Sequence, residues 1–232
     1  MRVRMLGTGS SDGWPDPWCA CASCGAARSD GVLRGQTSAL VDERLLIDVG
    51  PDGMRAAARD GLAGVEAVLV THAHPDHHSW PAWMWRGWQP SPRPLVLVGP
   101  PAVLADAAPH LDPSVTTVTA TAGDRLSVAG YDVVVLPATH AGRRAGPAVL
   151  YDLTGPDGRR LLYATDTGVL GEAALALVQD RAYDAVLLDL TSGHQPAHHD
   201  LATWPEQVAE LRRRGAVVAS TAVHAVHLGH GN

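Results

Sequence analysis

The chain has 232 residues, 46% of them hydrophobic, enough for one domain with a sizeable core. A formal net charge of -6 and the lack of any Lys/Arg block argue against a dedicated nucleic-acid binder or a polybasic membrane anchor. No apolar run approaches the ~18 residues of a membrane span and the start has no signal-like core, so a cytoplasmic protein with no membrane and no stable nucleic-acid partner is expected.

Residues 3–6 read as a strand, followed by the turn Gly7-Thr8-Gly9-Ser10. No helix-forming run follows, so this is not a dinucleotide fingerprint, and a turn that lets the backbone approach a metal loop is expected. Cys19, Cys21 and Cys24 are the only cysteines, in a loop spanning 12–30. An odd count without a secretion signal speaks against disulfides, whereas three clustered thiolates plus one distant histidine would complete a tetrahedral structural zinc site. Residues 38–41 and 44–47 read as a hairpin turning at Asp42-Glu43, with Asp48 at its exit. There a carboxylate either takes the free N–H of a metal-bound imidazole or serves as a turn or cap. Pro51 opens a helix through about Asp60.

The apolar run Val65–Val70 then delivers T-H-A-H-P-D-H-H, with His72, His74, Asp76 and His77 within six residues. Imidazole and carboxylate suit zinc, iron or manganese. His72 and His74 can reach one ion at a strand end, while Asp76 and His77 can face a second, the arrangement of a two-ion hydrolase. Residues 79–94 are rich in tryptophan and proline and allow only a short helix. Trp83, Trp85 and Arg86 are expected at the rim of the site, stacking on substrate and meeting a phosphate; core filling or a homodimer contact is the other use for the rings.

A strand at 95–98, a helix at 100–108 and strands at 116–118, 126–128 and 131–136 follow, the last delivering His140 at its exit. Strands 148–153 and 160–164 join through Gly155–Gly158, and the second leads to Asp166, a buried carboxylate suited to bridging two cations. After a helix at 173–180 and a strand at 185–189 come Asp189, expected to be buried behind the ligands, and the adjacent pair His198 and His199. A helix at 205–214 leads into the terminal run carrying His224, His227 and His230. His224 lies within that run as a packed or hydrogen-bonded group, whereas His227 and His230 lie at its exit among polar loop residues.

The run H72-A73-H74-P75-D76-H77 resembles the H-x-H-x-D-H hallmark of the metallo-β-lactamase superfamily. The segment G-T-G-S-S-D-G-W-P-D-P-W-C-A-C-A-S-C resembles its PhnP-like branch, the phosphoribosyl cyclic phosphodiesterases and relatives associated with cobinamide processing. The resemblance implies an α+β fold, an αβ/βα four-layer sandwich of two mixed sheets flanked by helices. It implies two divalent ions, zinc or manganese: His72, His74 and His140 at one, Asp76, His77 and His227 at the other, and Asp166 between them. Asp48 would steady a ligand histidine, His198 would act with Asp76 as a catalytic group, and Cys19, Cys21, Cys24 and His230 would bind one structural zinc. The terminal T-H-x-x-H of that pattern fits either His224 and His227 or His227 and His230, the second pair being preferred, and in both its threonine is missing. The implied function is a metal-dependent phosphodiesterase acting on a small cyclic or nucleotide-like phosphate such as 5-phosphoribosyl 1,2-cyclic phosphate. A tRNA 3′-processing endonuclease, a lactonase or thioesterase, and a catalytically silent binding protein are the alternatives.

Overall fold

The computed structural model describes residues 1–59, 61–142, 145–191 and 196–231. Strands β1 (Val3–Gly7), β2 (Ser38–Val41), β3 (Leu45–Ile47), β4 (Ala67–Leu69), β5 (Leu95–Gly99) and β6 (Val115–Thr119) form one sheet in that order. Strands β7 (Arg125–Val128), β8 (Tyr131–Gly142), β9 (Gly146–Thr154), β10 (Arg160–Ala164), β11 (Ala185–Asp189) and β12 (Ala222–Val226) form the other, again as sequential neighbours. Connection length sets the mixed character. Tight turns join the antiparallel pairs β2–β3, β7–β8 and β9–β10, whereas the parallel steps need helical crossovers. The first sheet uses α2 (Pro51–Ala57), α3 (Trp80–Gly87) and α4 (Pro101–Ala107) for these crossovers; the second uses α5 (Glu172–Val178) and α6 (Thr203–Arg213). The β2–β3 turn carries positive φ at Asp42 and Glu43 (48° and 58°), the left-handed pair that suits a tight hairpin.

Strand alternation sorts the apolar residues into three layers. Ala39, Val41, Ile47 and Leu69 of the first sheet meet Tyr131, Val133, Tyr151 and Tyr163 of the second in the central core. The intervening residues Leu40, Leu46, Val68 and Leu97 face outward, against Ala82, Trp83 and Val103 of the helices. Leu136, Leu150, Leu162 and Leu188 do the same on the other side against Leu175, Val178, Val208 and Leu211. Each such aliphatic side chain, fully buried, stabilises the fold by about 1.5–3 kcal/mol relative to exposure. The result is the expected four-layer α+β sandwich. Among the described residues no helix is long and apolar enough to cross a membrane.

Several expectations are corrected. The cysteine segment, expected to be a loop throughout, contains a helix, α1 (Ala22–Ser29). The helix expected to reach Asp60 ends at Ala57, and Asp60 lies outside the described residues. Strand β8 runs on to Gly142 through an irregularity between Pro137 and Ala141, so His140 sits inside an extended strand and not in a loop after it. His224 is exposed on β12, neither packed nor buried. The glycine turn approaches residues 34–36 and the C-terminal segment: a Cβ at Gly9 would lie 2.7 Å from the Arg34 carbonyl oxygen, and Ser10 N–H donates to Leu228 at 3.1 Å.

Candidate metal centre

Parallel strands end on the same edge, which is why β3, β4, β10, β11 and β12 all release polar residues toward one place. At the end of β4, His72 Nε2 lies 2.8 Å from His74 Nδ1, which is 3.1 Å from His140 Nε2. Asp166 Oδ2, beyond β10, is 3.7 Å from His72 Nε2 and 3.9 Å from His140 Nε2. The other oxygen of the same carboxylate faces a second set: Asp166 Oδ1 is 3.3 Å from His77 Nε2 and 3.0 Å from His227 Nε2. Asp76 Oδ2 completes that set at 3.0 and 3.3 Å from the same two nitrogens.

Such convergence of lone-pair atoms is unfavourable unless protons or a cation sit between them, and spacings near 3 Å are those of ligands around one ion. The donors fit two divalent ions sharing Asp166. Burial and the neighbouring imidazoles hold His72 below its usual range, so it presents a neutral nitrogen. Burial would also neutralise His77, but the carboxylates of Asp166, Asp76 and Asp48 outweigh it and hold that imidazole well above its ordinary value. For Asp166 the order is reversed, since burial favours its neutral acid while His227 and His77 hold it far below the carboxylate range.

Behind the donor atoms a layer of hydrogen bonds fixes each ring. Asp48 is fully buried. It takes N–H from Thr71 at 2.8 Å and hydroxyls from Thr71 and Tyr163 at 3.0 and 3.2 Å, and its Oδ2 lies 2.7 Å from His77 Nδ1. That contact leaves His77 Nε2 for an ion. Gly50 is required beside it, because a Cβ there would sit 1.9 Å from the Asp76 carbonyl oxygen. His227 Nδ1 lies 2.7 Å from Thr191 Oγ1, and His140 Nδ1 is 3.4 Å from the Ala197 carbonyl.

Asp189, also fully buried, accepts from the backbone of Thr191 at 3.1 Å and of His199 at 3.2 Å. Its Oδ2 lies 2.9 Å from His198 Nδ1. The His198 ring stacks on His227 at 5.6 Å and lies 4.9 Å from His140, so it stands beside both donor sets. His199 is instead buried with Nδ1 3.3 Å from Thr203 Oγ1, in the entry to α6.

The cysteines meet where the N-terminal loop touches the end of the chain. The sulfurs of Cys19, Cys21 and Cys24 and a ring nitrogen of His230 all lie within 4.8 Å of one another, a set that fits tetrahedral zinc. Cys21 caps α1, its sulfur 3.4 Å from Cys24 N–H and 3.6 Å from His230 Nδ1. The Cys24 N–H and His230 pull the Cys21 thiol down to about 6, toward the thiolate a metal needs. Burial pushes the Cys24 thiol up to about 11.

The expected tryptophan rim does not form around these ligands. Trp83 is 3% exposed, packed in the outer core of the first sheet, and donates its ring N–H to His78 Nε2 at 2.8 Å. Arg86 is occupied by Asp112, by the Arg93 carbonyl and by Ser114 Oγ at 3.0 Å. Trp85 is half exposed, beside Arg86 on the outer cavity of the first sheet. The argument for a large ring-bearing substrate from this segment therefore falls. Sequence reading missed Thr71 and Thr191, ordinary residues whose roles come from long-range contacts, and the His78–Trp83 bond, which no helical spacing signals because His78 precedes α3.

A zinc-bound PqqB of Methylobacterium extorquens superposes with a TM-score of 0.73 at 20% identity, over 99% of this chain and 90% of that one. A diphosphatase from the PhnP family gives 0.75 at 20% identity over 99% and 87%, and the short form of human tRNase Z gives 0.69 at 17% over 99% and 93%. At these identities the likeness is one of fold. An octanoyltransferase of Porphyromonas gingivalis (strain ATCC BAA-308 / W83) is 39% identical over 80 residues, so the match spans 33% of this chain and only 16% of that protein's length. The family model for the Beta-lactamase superfamily domain matches residues 43–225, well over half of the sequence, and the chain therefore belongs to the beta-lactamase superfamily.

Proposed function

We propose that this metal-dependent hydrolase is a phosphodiesterase acting on a small cyclic or nucleotide-like phosphate ester, with 5-phosphoribosyl 1,2-cyclic phosphate the first substrate to try. The observation that carries the reading is the single carboxylate of Asp166 turned toward two donor sets, with the His198–Asp189 pair standing beside both. Two divalent ions held by His72, His74, His140, Asp166, Asp76, His77 and His227 would lend positive charge to a phosphoryl group and acidity to an attacking water.

The protein's own contribution is orientation and proton handling. Asp48 and Thr191 set the rings of His77 and His227, so those donors need no rearrangement when substrate arrives. Asp189 receives the Nδ1 proton of His198, which leaves Nε2 to exchange a proton with the departing sugar oxygen. Asp76 is buried among the donors and belongs to the ligand shell rather than to proton transfer; its carboxyl is held far below its usual range, against its burial, by His77 and His227. An acid so strong makes a poor proton donor near neutral pH.

The test is hydrolysis of a panel of cyclic phosphates, bis(p-nitrophenyl) phosphate and lactones by protein loaded with zinc or manganese. The proposal expects phosphodiester turnover that chelation abolishes and metal restores. Turnover of lactones with none of phosphodiesters would replace it.

A further inference from the structure

On the outer face of the first sheet, where no metal ligand points, lies a cavity of about 530 Å³. Small-molecule sites occupy about 300–1,000 Å³. Leu46 and Val68 form its floor, Met54 and Ala57 of α2 one wall and Trp83 of α3 the other. Leu46, Val68 and Trp83 are only 2–3% exposed. The space is thus apolar to its base, poorly suited to water, which needs polar partners there.

Its mouth has the opposite character. Arg86 and Arg93 both line it, but they are not equivalent. Arg86 is neutralised by Asp112. Arg93 is exposed and donates to the Ala63 carbonyl at 3.2 Å, and among the described residues no carboxylate lies within ion-pair distance of it. In a chain of net charge -6, the Arg93 guanidinium thus stands at the edge of an apolar hole with no counter-charge among the described residues. An unbranched hydrocarbon can lie along this apolar lining down to the sheet, and the guanidinium favours a carboxylate at its end.

We propose that this cavity binds a linear amphipathic anion, a medium-chain carboxylate whose tail lies on Leu46 and Val68 and whose head meets Arg93. The proposal depends on neither metal cluster nor on the phosphodiesterase reading.

The test is calorimetric titration of the metal-loaded full chain with sodium decanoate below its micellar concentration. Decyltrimethylammonium, with the same tail and the opposite charge, is the companion probe. The wild type should bind decanoate saturably, one per chain, and prefer it to the cation. Arg93→Glu, a surface change, should weaken decanoate by about tenfold or more and remove that preference. Met54→Trp, which fills the cavity, should abolish binding of both probes. Absence of saturable decanoate binding, equal binding of the two probes by the wild type, or decanoate binding unchanged by Arg93→Glu would each overturn the proposal. Attachment of the carboxylate to the metal centre would show itself as that last result.

Discussion

The His/Asp cluster and the Cys/His cluster are both assembled from good metal donors, but the fold supports them differently. In the first, His72, His77, Asp76, Asp166 and His227 are all buried, and Asp48, Thr71, Asp189 and Thr191 hold the rings from behind. In the second, Cys21 is exposed, Cys19 and His230 are half-buried, and Cys24 is buried but keeps its proton more tightly than an ordinary thiol. A site that must place reacting atoms is set by the fold before any ion arrives, whereas a site that fastens a loop can leave much of its order to the ion.

Breaking the shared ligand should have the largest consequence. Asp166→Asn removes charge from both donor sets at once, and phosphodiesterase activity should fall to background with loss of metal from the buried cluster; retention of both ions would show that the carboxylate is not shared. The next largest effect falls on proton transfer. His198→Gln should lower kcat by about 10²- to 10⁴-fold with metal content unchanged, read by steady-state kinetics and elemental analysis. A drop in metal content of the same size would make His198 a ligand instead.

The other side of the comparison is sharpened by Cys21→Ser. One equivalent of zinc should be lost and the melting temperature should fall, while kcat of the folded, two-ion protein stays near wild type. Equal metal content and melting temperature in the two proteins would remove the structural site.

How legible all this was differs by type of contact. His72, His74, Asp76 and His77 were readable because they sit together in sequence, and Asp166 because a buried strand ends in a carboxylate. The four layers followed from alternation and from the difference between tight turns and helical crossovers. The resemblance already preferred His198 to His199, and the fold supplies the physical difference between them: one ring stands beside His227 and the other against Thr203. The tryptophans misled because a short helix turns Ala82 and Trp83 inward while Trp80, Trp85 and Trp88 remain at least 42% exposed, a division that composition cannot make. His140 was legible as a candidate ligand but not its setting, because the irregular β8 continues past the proline that looked like its end.

The smallest effect belongs to a control remote from both clusters. Burial alone would raise the Asp112 carboxyl, but hydrogen bonds from Ser114 and Arg86 hold it below its usual range. Its folded value is therefore below its unfolded one, about 3.9, so its stabilisation is present above that pH and is lost as pH falls through the folded value. Asp112→Asn should lower the melting temperature slightly and evenly from pH 6 to 8, as about neutral values on that scale, with the gap closing below about pH 4. Neither metal content nor kcat should move.

The account's central claim is that two ions in the buried cluster perform the chemistry and a third serves only the fold. Metal-stripped protein titrated with zinc, with bis(p-nitrophenyl) phosphate hydrolysis followed at each addition, tests it most directly. Bound zinc should reach about three equivalents in the wild type and about two in Cys21→Ser, the count the three donor sets require, with the same final activity in both. Full activity at one equivalent, or no hydrolysis at full loading, would contradict it.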